Sequence, residues 1–341
     1  MKRILIFLAV GFAILFLTGC SLSLLRAPSP LTTPILLSSP TAVSSSPIPA
    51  ANPTPGLPTA TLTLNLPTAT PGLAVPTATS GLLPTANPGG ILPGSTSGPY
   101  AVIQVAPGDA LNVHSAPGAD SSVIGSFPAT LNSVMRTGPN TSVNGDPWVQ
   151  VQKPGGGNGW VNANYLTEYV APATFCADAR VNTLLTNFGN AIKTSNGGTL
   201  FALVSPAHGM AVRLWRNGNA IVFDQAHAQW IFSSTYEHDW GAAPGSGLDT
   251  VGAIHVVVLP KWLDVLNAPA PGYTLSCNVP ETGGASYDTS WLAIYTNINF
   301  YSLYKPGPAG NELSWRTLLV GVEYVQAQPY IFSVAQMDWE P

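Results

Sequence analysis

Charged residues are scarce in this sequence. Lysine and arginine number 12 and aspartate and glutamate 16, together 8% of 341 residues, whereas ordinary soluble domains carry about 25%. Between residues 21 and 98, Arg26 is the only charged residue. All the acidic residues and nine basic ones follow residue 98, which gives that part of the chain a formal charge of −7. This balance argues against nucleic acid as a partner and against electrostatic docking on anionic lipid.

The familiar active-site motifs are also missing. The sequence contains no His-Glu-x-x-His, no Gly-x-Ser-x-Gly and no phosphate-binding Gly-rich loop with lysine. Residues 245–247, Gly-Ser-Gly, lack the spacing of a nucleophile and are interpreted as a turn. The spacing of His227, His238 and His255 permits a metal site, but nothing in the sequence selects one. We therefore assign no catalytic residue, cofactor or metal.

Proline and glycine, in contrast, are abundant, with 33 residues of each. Residues 58–61, 67–70 and 76–79 each read Pro-Thr-Ala-Thr, and residues 84–87 repeat the motif with a final Asn. Proline removes backbone donors and favours polyproline II over a packed core. Residues 20–98 are therefore predicted to be a disordered Pro/Thr/Ser-rich tether, with a reach of roughly 50 Å as a flexible coil.

The N-terminus has the layout of a secretory signal. Lys2 and Arg3 precede an apolar run of about fifteen residues, which ends at Leu17-Thr18-Gly19-Cys20. This segment resembles the signal peptide and lipobox of bacterial lipoproteins. The resemblance implies that residues 1–19 are removed, that Cys20 is lipidated, and that the protein is held on the extracytoplasmic face of the cell membrane.

Two of the three cysteines remain once Cys20 is assigned to lipid. Because thiols oxidise outside the cytoplasm, we predict a disulfide between Cys176 and Cys277. The alternative is a catalytic thiol. That role requires a base, and no sequence context links Cys277 to a histidine.

Residues 99–170 show short apolar runs separated by Gly, Pro and Asn, a pattern typical of a small all-β barrel. The runs read LNVHSAPG from residue 111, VIG from 123, WVQV from 148, GWV from 159 and YL from 165. Together they resemble the bacterial SH3-like domain. The sequence departs from that family at His114, where arginine is usual, and in an insertion at residues 138–147. The resemblance implies a wall-targeting or ligand-binding module.

Tryptophans in this module admit two interpretations. Trp148 and Trp160 supply the apolar volume that a small barrel needs, so they can be core residues. Alternatively, partly exposed aromatic side chains form a groove for a peptide or glycan, as in relatives that bind proline-rich ligands. Trp148, Trp160 and Tyr165 are therefore candidate ligand-binding residues.

Residues 171–341 are predicted to form an α+β domain, with helices packed on a curved antiparallel sheet. Helices are expected at 178–192, 199–204, 224–232 and 257–266. Strands are expected at 210–215 and 220–223, and then at 290–304, 314–325 and 330–339. This order resembles the cystatin-like or nuclear-transport-factor-2-like cone. Ser205-Pro206, Trp240-Gly241 and the terminal Asp338-Trp339 also resemble uncharacterised bacterial surface lipoproteins.

The best polar and aromatic cluster in this domain surrounds Asp239. We expect His238 and Trp240 to line a pocket mouth, with Tyr236 and Arg213 as companions. The other interpretation is that His238 is an ordinary loop histidine whose hydrogen bonds are satisfied.

These features favour a non-catalytic, lipid-anchored cell-envelope protein that presents two binding modules. Its expected partners are the membrane, through Cys20, and peptidoglycan or a wall-associated protein. The alternative is a peptidoglycan hydrolase or an accessory subunit of one, since bacterial SH3-like domains often accompany such enzymes.

Overall fold

The computed structural model describes residues 98–284 and 289–339. The predicted signal peptide, Cys20 and nearly all of the predicted tether lie outside the described residues. Residues 99–170 and the rest of the described chain belong to one compact unit. Within the part that is described, no helix has the length and apolar character needed to cross a membrane.

The SH3-like region is a seven-stranded sheet. Its strands are β1 Pro99–Val102, β2 Ala110–His114, β3 Val123–Pro128, β4 Val134–Val143, β5 Asp146–Gln152, β6 Asn158–Asn162 and β7 Leu166–Glu168. They lie in the order β3-β2-β6-β5-β4-β1-β7. The edge strands β3 and β7 are not hydrogen bonded to each other, so the predicted barrel is not closed.

The predicted insertion forms the hairpin of β4 and β5. Asn144 and Gly145 make its turn, with φ of 54° and 90°, the left-handed conformation that this dipeptide favours in two-residue hairpins. The register shifts between Arg136 and Asn140, which marks a β-bulge. The insertion therefore lengthens an existing strand pair and leaves the valine-rich interior intact.

The remaining described residues form an α+β region, as predicted. Its helices are α1 Pro172–Ala177, α2 Ala179–Lys193, α3 Gly197–Leu203, α4 Gln225–Ala228, α5 Ile254–Val257 and α6 Leu259–Leu266. Its strands are β8 Met210–Arg213, β9 Ile221–Phe223, β10 Glu237–Ala242, β11 Asp249–Ala253, β12 Thr274–Cys277, β13 Asn299–Lys305, β14 Arg316–Val325 and β15 Gln328–Asp338. Six strands form one sheet, in the order β12-β13-β14-β15-β8-β9, and β10 pairs with β11 separately.

The main sheet is antiparallel except where β15 runs parallel to β8. Its two faces contact different sets of buried residues. One face packs on the helices, among them α2, whose side chains Leu185, Phe188 and Ile192 are buried. The other face is covered by a cluster that includes Tyr295, Trp315 and Phe332. A sheet covered on both sides explains why β14 is buried along nearly its whole length.

The predicted disulfide is confirmed. Cys176 in α1 and Cys277 in β12 are bonded, with their Cα atoms 5.8 Å apart. The bridge ties the first helix of the α+β region to the edge strand of its sheet. It also leaves neither sulfur available as a thiol nucleophile.

Two predicted elements differ in extent from those observed. The helix expected at 224–232 ends after one turn, at Ala228, where the chain enters turns that bury Ile231. The strand expected at 290–304 begins only at Asn299. Before it, a short 3₁₀ helix, Ala293–Tyr295, folds Trp291 back to stack on Phe300 at 4.2 Å between ring centroids. The apolar residues there cover the sheet instead of extending it.

A buried carboxylate joins the two regions. Glu323 in β14 is 2% exposed and accepts a hydrogen bond of 2.9 Å from Thr167 Oγ1 in β7 of the SH3-like region. Ser205 Oγ also donates to this carboxylate, and His208 Nδ1 lies 2.8 Å from it. A buried carboxylate is costly unless charged and hydrogen-bonded partners compensate it. His208 and Ser205 compensate the charge from within the α+β region, and docking of the SH3-like region adds the hydrogen bond from Thr167.

Further contacts join the two regions. Glu168 accepts hydrogen bonds from the backbone N–H groups of Gln326 and Ala327, at 2.9 and 2.8 Å. Asn297 Nδ2 donates to Val102 O at 2.8 Å, and Ile103 belongs to the core cluster on the second face of the main sheet. The SH3-like region is therefore packed against the α+β region by polar and apolar contacts.

The pH dependence of stability should report on His208. Burial opposes charge on the ring, but the Glu323 carboxylate and the Ala163 carbonyl outweigh it, so the pKa of His208 is raised above 6.5. The ion pair then stabilises the fold fully below about pH 6.5, and this stabilisation is lost as the pH rises through the higher folded-state pKa. In urea titrations, the excess stability of the wild type over His208→Gln should be greater at about pH 6 than at about pH 9.

Glu323→Gln is the control for this measurement, because it keeps the shape of the side chain but removes its charge. Its stability should lack the His208-dependent change with pH. An equal difference between wild type and His208→Gln at both pH values would contradict the assignment of a charged pair.

Candidate functional site

One face of the SH3-like sheet carries aromatic and amide side chains. Alternate residues of a strand point to the same side of a sheet, and the register places Trp160 beside both Gln150 and His114. We call this surface the Trp160 face. Its members are Asn112, His114, Trp148, Gln150, Gln152, Asn158, Trp160 and Asn162. None of them is an acid, a lysine or an arginine, so the face is suited to neutral ligands with amide or hydroxyl groups.

The two predicted tryptophans of this face differ in exposure. Trp148 is 3% exposed, and the edge of the His114 ring meets it at 5.3 Å between centroids. Trp160 is half-buried. Trp148 is therefore a packing residue that supports the face, and Trp160 is the tryptophan with surface available to a ligand.

His114 has a local structural role. Its Nδ1 lies 2.9 Å from Ser121 O, and its ring packs on Trp148. Histidine can make both contacts at once, which accounts for its presence where the related domains usually have arginine. The side chain is buried, so it presents little polar surface to a ligand.

Gln150 is the amide closest to Trp160 in register. Its Oε1 is 3.4 Å from Asn158 Nδ2. A Cβ added at Gly138 would lie 2.2 Å from this Oε1, so a larger residue at position 138 would displace the end of the Gln150 side chain. The strand register and the contact with Asn158 thus place the Gln150 side chain beside the Trp160 ring.

Tyr165 lies outside these strand pairs. It ends the short 3₁₀ helix Ala163–Tyr165 and is 39% exposed. Its backbone carbonyl accepts a hydrogen bond from Ile103 N at 3.0 Å. The side chain is accessible, and its role in ligand binding stays a prediction.

The aromatic cluster predicted around His238 is present in the α+β region. The His238 ring contacts Phe223, Tyr236 and Trp240, with ring centroids 5.4, 4.8 and 5.5 Å apart. Burial lowers the pKa of His238, which favours the neutral ring. His238 therefore acts as the centre of an aromatic packing cluster.

Only part of that cluster reaches solvent. Trp240 is fully buried, and its Nε1 donates to Gly252 O at 2.9 Å. It belongs to the core, and the expectation that it lines a pocket mouth is corrected. Tyr236 is 70% exposed. Tyr236 precedes β10, whereas Trp240 lies within the strand and packs into the core cluster under the helices.

Arg213 is not brought to this cluster. It lies on β8, where its neighbours Val212 and Leu214 face the helices. Its guanidinium instead lies 6.0 Å from the Tyr295 ring centroid and donates to Gly218 O. Arg213 thus points to the opposite side of the main sheet, because residues alternate along the strand.

The three histidines considered for metal binding make separate contacts. His227 Nδ1 is 2.8 Å from Asp224 Oδ1, and His255 Nδ1 is 2.9 Å from Ser234 O. Across residues 98–284 and 289–339, no three His, Cys, Asp or Glu side chains converge on one point. Gly245 and Gly247 both have positive φ, 79° and 66°, consistent with the predicted turn.

Sequence reasoning missed one exposed residue, Trp230. It lies just after α4 and is 60% exposed. It lines a concave surface together with Tyr236. The sequence offered one signal for the exposure of Trp230. Ser233, Ser234 and Thr235 follow it closely, and such a polar cluster is typical of a surface loop.

Two substitutions separate the buried part of the aromatic cluster from the exposed part. Trp240→Ala should lower the free energy of unfolding by about 3–5 kcal/mol, because it removes a fully buried ring. Tyr236→Ala should change it by no more than about 0.5 kcal/mol. Urea denaturation followed by circular dichroism measures both. A similar loss of stability in the two variants would contradict this placement.

Comparison with known families locates one domain in the chain. Residues 109–167 match the family described as bacterial SH3 domain. No curated protein and no solved structure matches the chain. The family match lies within the predicted 99–170 module and includes the whole Trp160 face, so the SH3-like resemblance is confirmed for this part of the chain.

Proposed function

We propose that this protein is a lipid-anchored, extracytoplasmic cell-envelope protein whose bacterial SH3 domain binds peptidoglycan, without catalysing a reaction on it. The match of residues 109–167 carries the proposal, since bacterial SH3 domains commonly bind peptidoglycan. The α+β region packs against this domain and serves as a second binding module.

The chemistry of the Trp160 face supports a wall ligand. Peptidoglycan presents acetamide groups, hydroxyl groups and peptide amides. Amide side chains such as Gln150 and Asn162 can exchange hydrogen bonds with these groups, and the half-buried ring of Trp160 offers a flat apolar surface. We therefore expect the ligand to contact Trp160 and the amide side chains beside it.

The N-terminal segment supports the anchoring part of the proposal. The lipobox at residues 17–20 would place a lipid on Cys20, and a Pro/Thr-rich tether would follow it. Such a tether lets folded modules sample positions tens of Å from the membrane, roughly 50 Å for a flexible coil. That distance suits a module that must reach the wall from a lipid anchor.

A non-catalytic role fits the state of the cysteines. The alternative of a thiol-dependent wall hydrolase needs a free nucleophile, and Cys176 is bonded to Cys277. We therefore propose that the protein binds the wall and does not cleave it.

Co-sedimentation with purified sacculi tests the wall ligand. The chain from residue 20 onward, carrying Cys20→Ser to prevent lipidation, should sediment with sacculi. Trp160→Ala should weaken this binding at least about tenfold, as expected for an aromatic residue that anchors an interface. Trp339→Ala, which changes an exposed tryptophan of the α+β region, is the matched control and should bind normally.

Thermal unfolding of each variant shows whether it is folded. Absence of sedimentation by the parent chain would overturn the wall-binding proposal. Clearing of sacculi in a zymogram would overturn the non-catalytic part of it.

Detergent phase partition tests the anchor. Expressed in bacteria with its native N-terminus, the wild type should enter the Triton X-114 phase because of its lipid, and Cys20→Ala should not. Cys277→Ala changes a different cysteine and should partition like the wild type. Equal partition of wild type and Cys20→Ala would contradict lipidation at Cys20.

A further inference from the structure

The two most exposed aromatic side chains in the described part of the chain lie on the same surface. Tyr236 is 70% exposed and Trp230 is 60% exposed, whereas Trp339 and Tyr165 follow at 40% and 39%. A large aromatic ring left in water does not contribute the stabilisation that burial would give it. The stability of the fold therefore does not explain why these two rings are exposed.

These rings line a shallow concavity that is largely open to solvent. We call it the Trp230 groove. The other residues lining it are His227, Ser233, Ser234, Thr235 and Glu237. Because this surface is open and does not enclose a ligand, it suits an extended chain more than a compact small molecule.

The backbone that presents the two rings is held in place. Trp230 O accepts hydrogen bonds from Ser233 N and Ser234 N, at 3.1 and 2.8 Å. His255 Nδ1 contacts Ser234 O at 2.9 Å, which ties the loop to α5. The Tyr236 ring packs on His238. A preorganised surface lowers the entropy cost of binding.

The chemistry of the groove selects among ligands. Its lining includes no lysine or arginine, and Glu237 contributes a carboxylate, so phosphate-bearing and other anionic ligands are disfavoured. Hydroxyl, imidazole and carboxylate groups surround the two rings, and each of these groups can hydrogen bond to a neutral hydroxyl.

A sugar ring matches both features. One face of a pyranose presents C–H groups that stack on an indole or phenol ring. Its edge presents hydroxyl groups, which bond to carboxylates, serines and imidazoles. An apolar surface rimmed by hydrogen-bonding groups is what such a ring requires.

We infer that the Trp230 groove is a binding site for a neutral saccharide chain, with Trp230 and Tyr236 as its stacking platforms. The site is separate from the Trp160 face and does not depend on the ligand of the bacterial SH3 domain. The protein then carries two recognition surfaces, one in each folded region.

Calorimetric titration with neutral oligosaccharides tests the inference. The probes are cellotetraose, chitotetraose, maltotetraose and xylotetraose, added to the Cys20→Ser chain from residue 20 onward. At least one should bind, and Trp230→Ala should weaken that binding at least about tenfold. Trp339→Ala is the matched control for loss of an exposed tryptophan and should bind like the parent chain.

The variant Trp160→Ala separates this site from the SH3 domain. It should retain oligosaccharide binding while its sedimentation with sacculi is weakened. Trp230→Ala should still sediment with sacculi but bind the oligosaccharide at least about tenfold more weakly. Failure of all four probes to bind, or binding that Trp230→Ala leaves unchanged, would overturn the inference. Binding of choline or a proline-rich peptide at Trp230, with no saccharide binding, would also overturn it.

Discussion

The buried carboxylate of Glu323 lies where the SH3-like region and the α+β region meet. It accepts hydrogen bonds from Thr167 in the SH3-like region and from Ser205 in the α+β region, and it pairs with His208. Removing one partner of a buried ion pair typically costs about 3–5 kcal/mol. His208 and Ser205 lie in the same region as Glu323, and docking of the SH3-like region adds the hydrogen bond from Thr167. Docking also places the Trp160 face and the Trp230 groove on one folded body.

The main sheet of the α+β region shows why aromatic residues are numerous in a chain with so few charges. Both faces of the sheet are covered, and large rings such as Trp262 and Trp315 fill the two layers. Against that background the exposure of Trp230 and Tyr236 stands out. The Trp160 face differs from the Trp230 groove, because its tryptophan ring is half-buried and is surrounded by neutral amide side chains.

Local patterns predicted some of these features correctly. Helix α2 could be predicted because Asp178 caps its first turn and its apolar residues recur at helical spacing. The strands that contain Trp148 and Trp160 could be predicted because their sequences resemble the bacterial SH3-like domain. The expectation for residues 290–304 was wrong in extent, since an apolar run suits a strand and a covering layer equally well. The expectation for Trp240 was wrong because its ring packs into the core cluster of the α+β region, a long-range contact that the local sequence does not show.

From the sequence alone came an SH3-like module at residues 99–170, the pairing of Cys176 with Cys277 and the α+β character of the remainder. The first rests on a family resemblance, which the match of residues 109–167 confirms. The second rests on the cysteine count, and the third on hydrophobic periodicity. The contacts between distant polar and aromatic residues became visible in the folded structure alone. Thr167 and Glu323 are 156 residues apart in sequence, and the exposure of Trp230 depends on what packs beside it. Contacts of that range arise from packing, which local patterns do not encode.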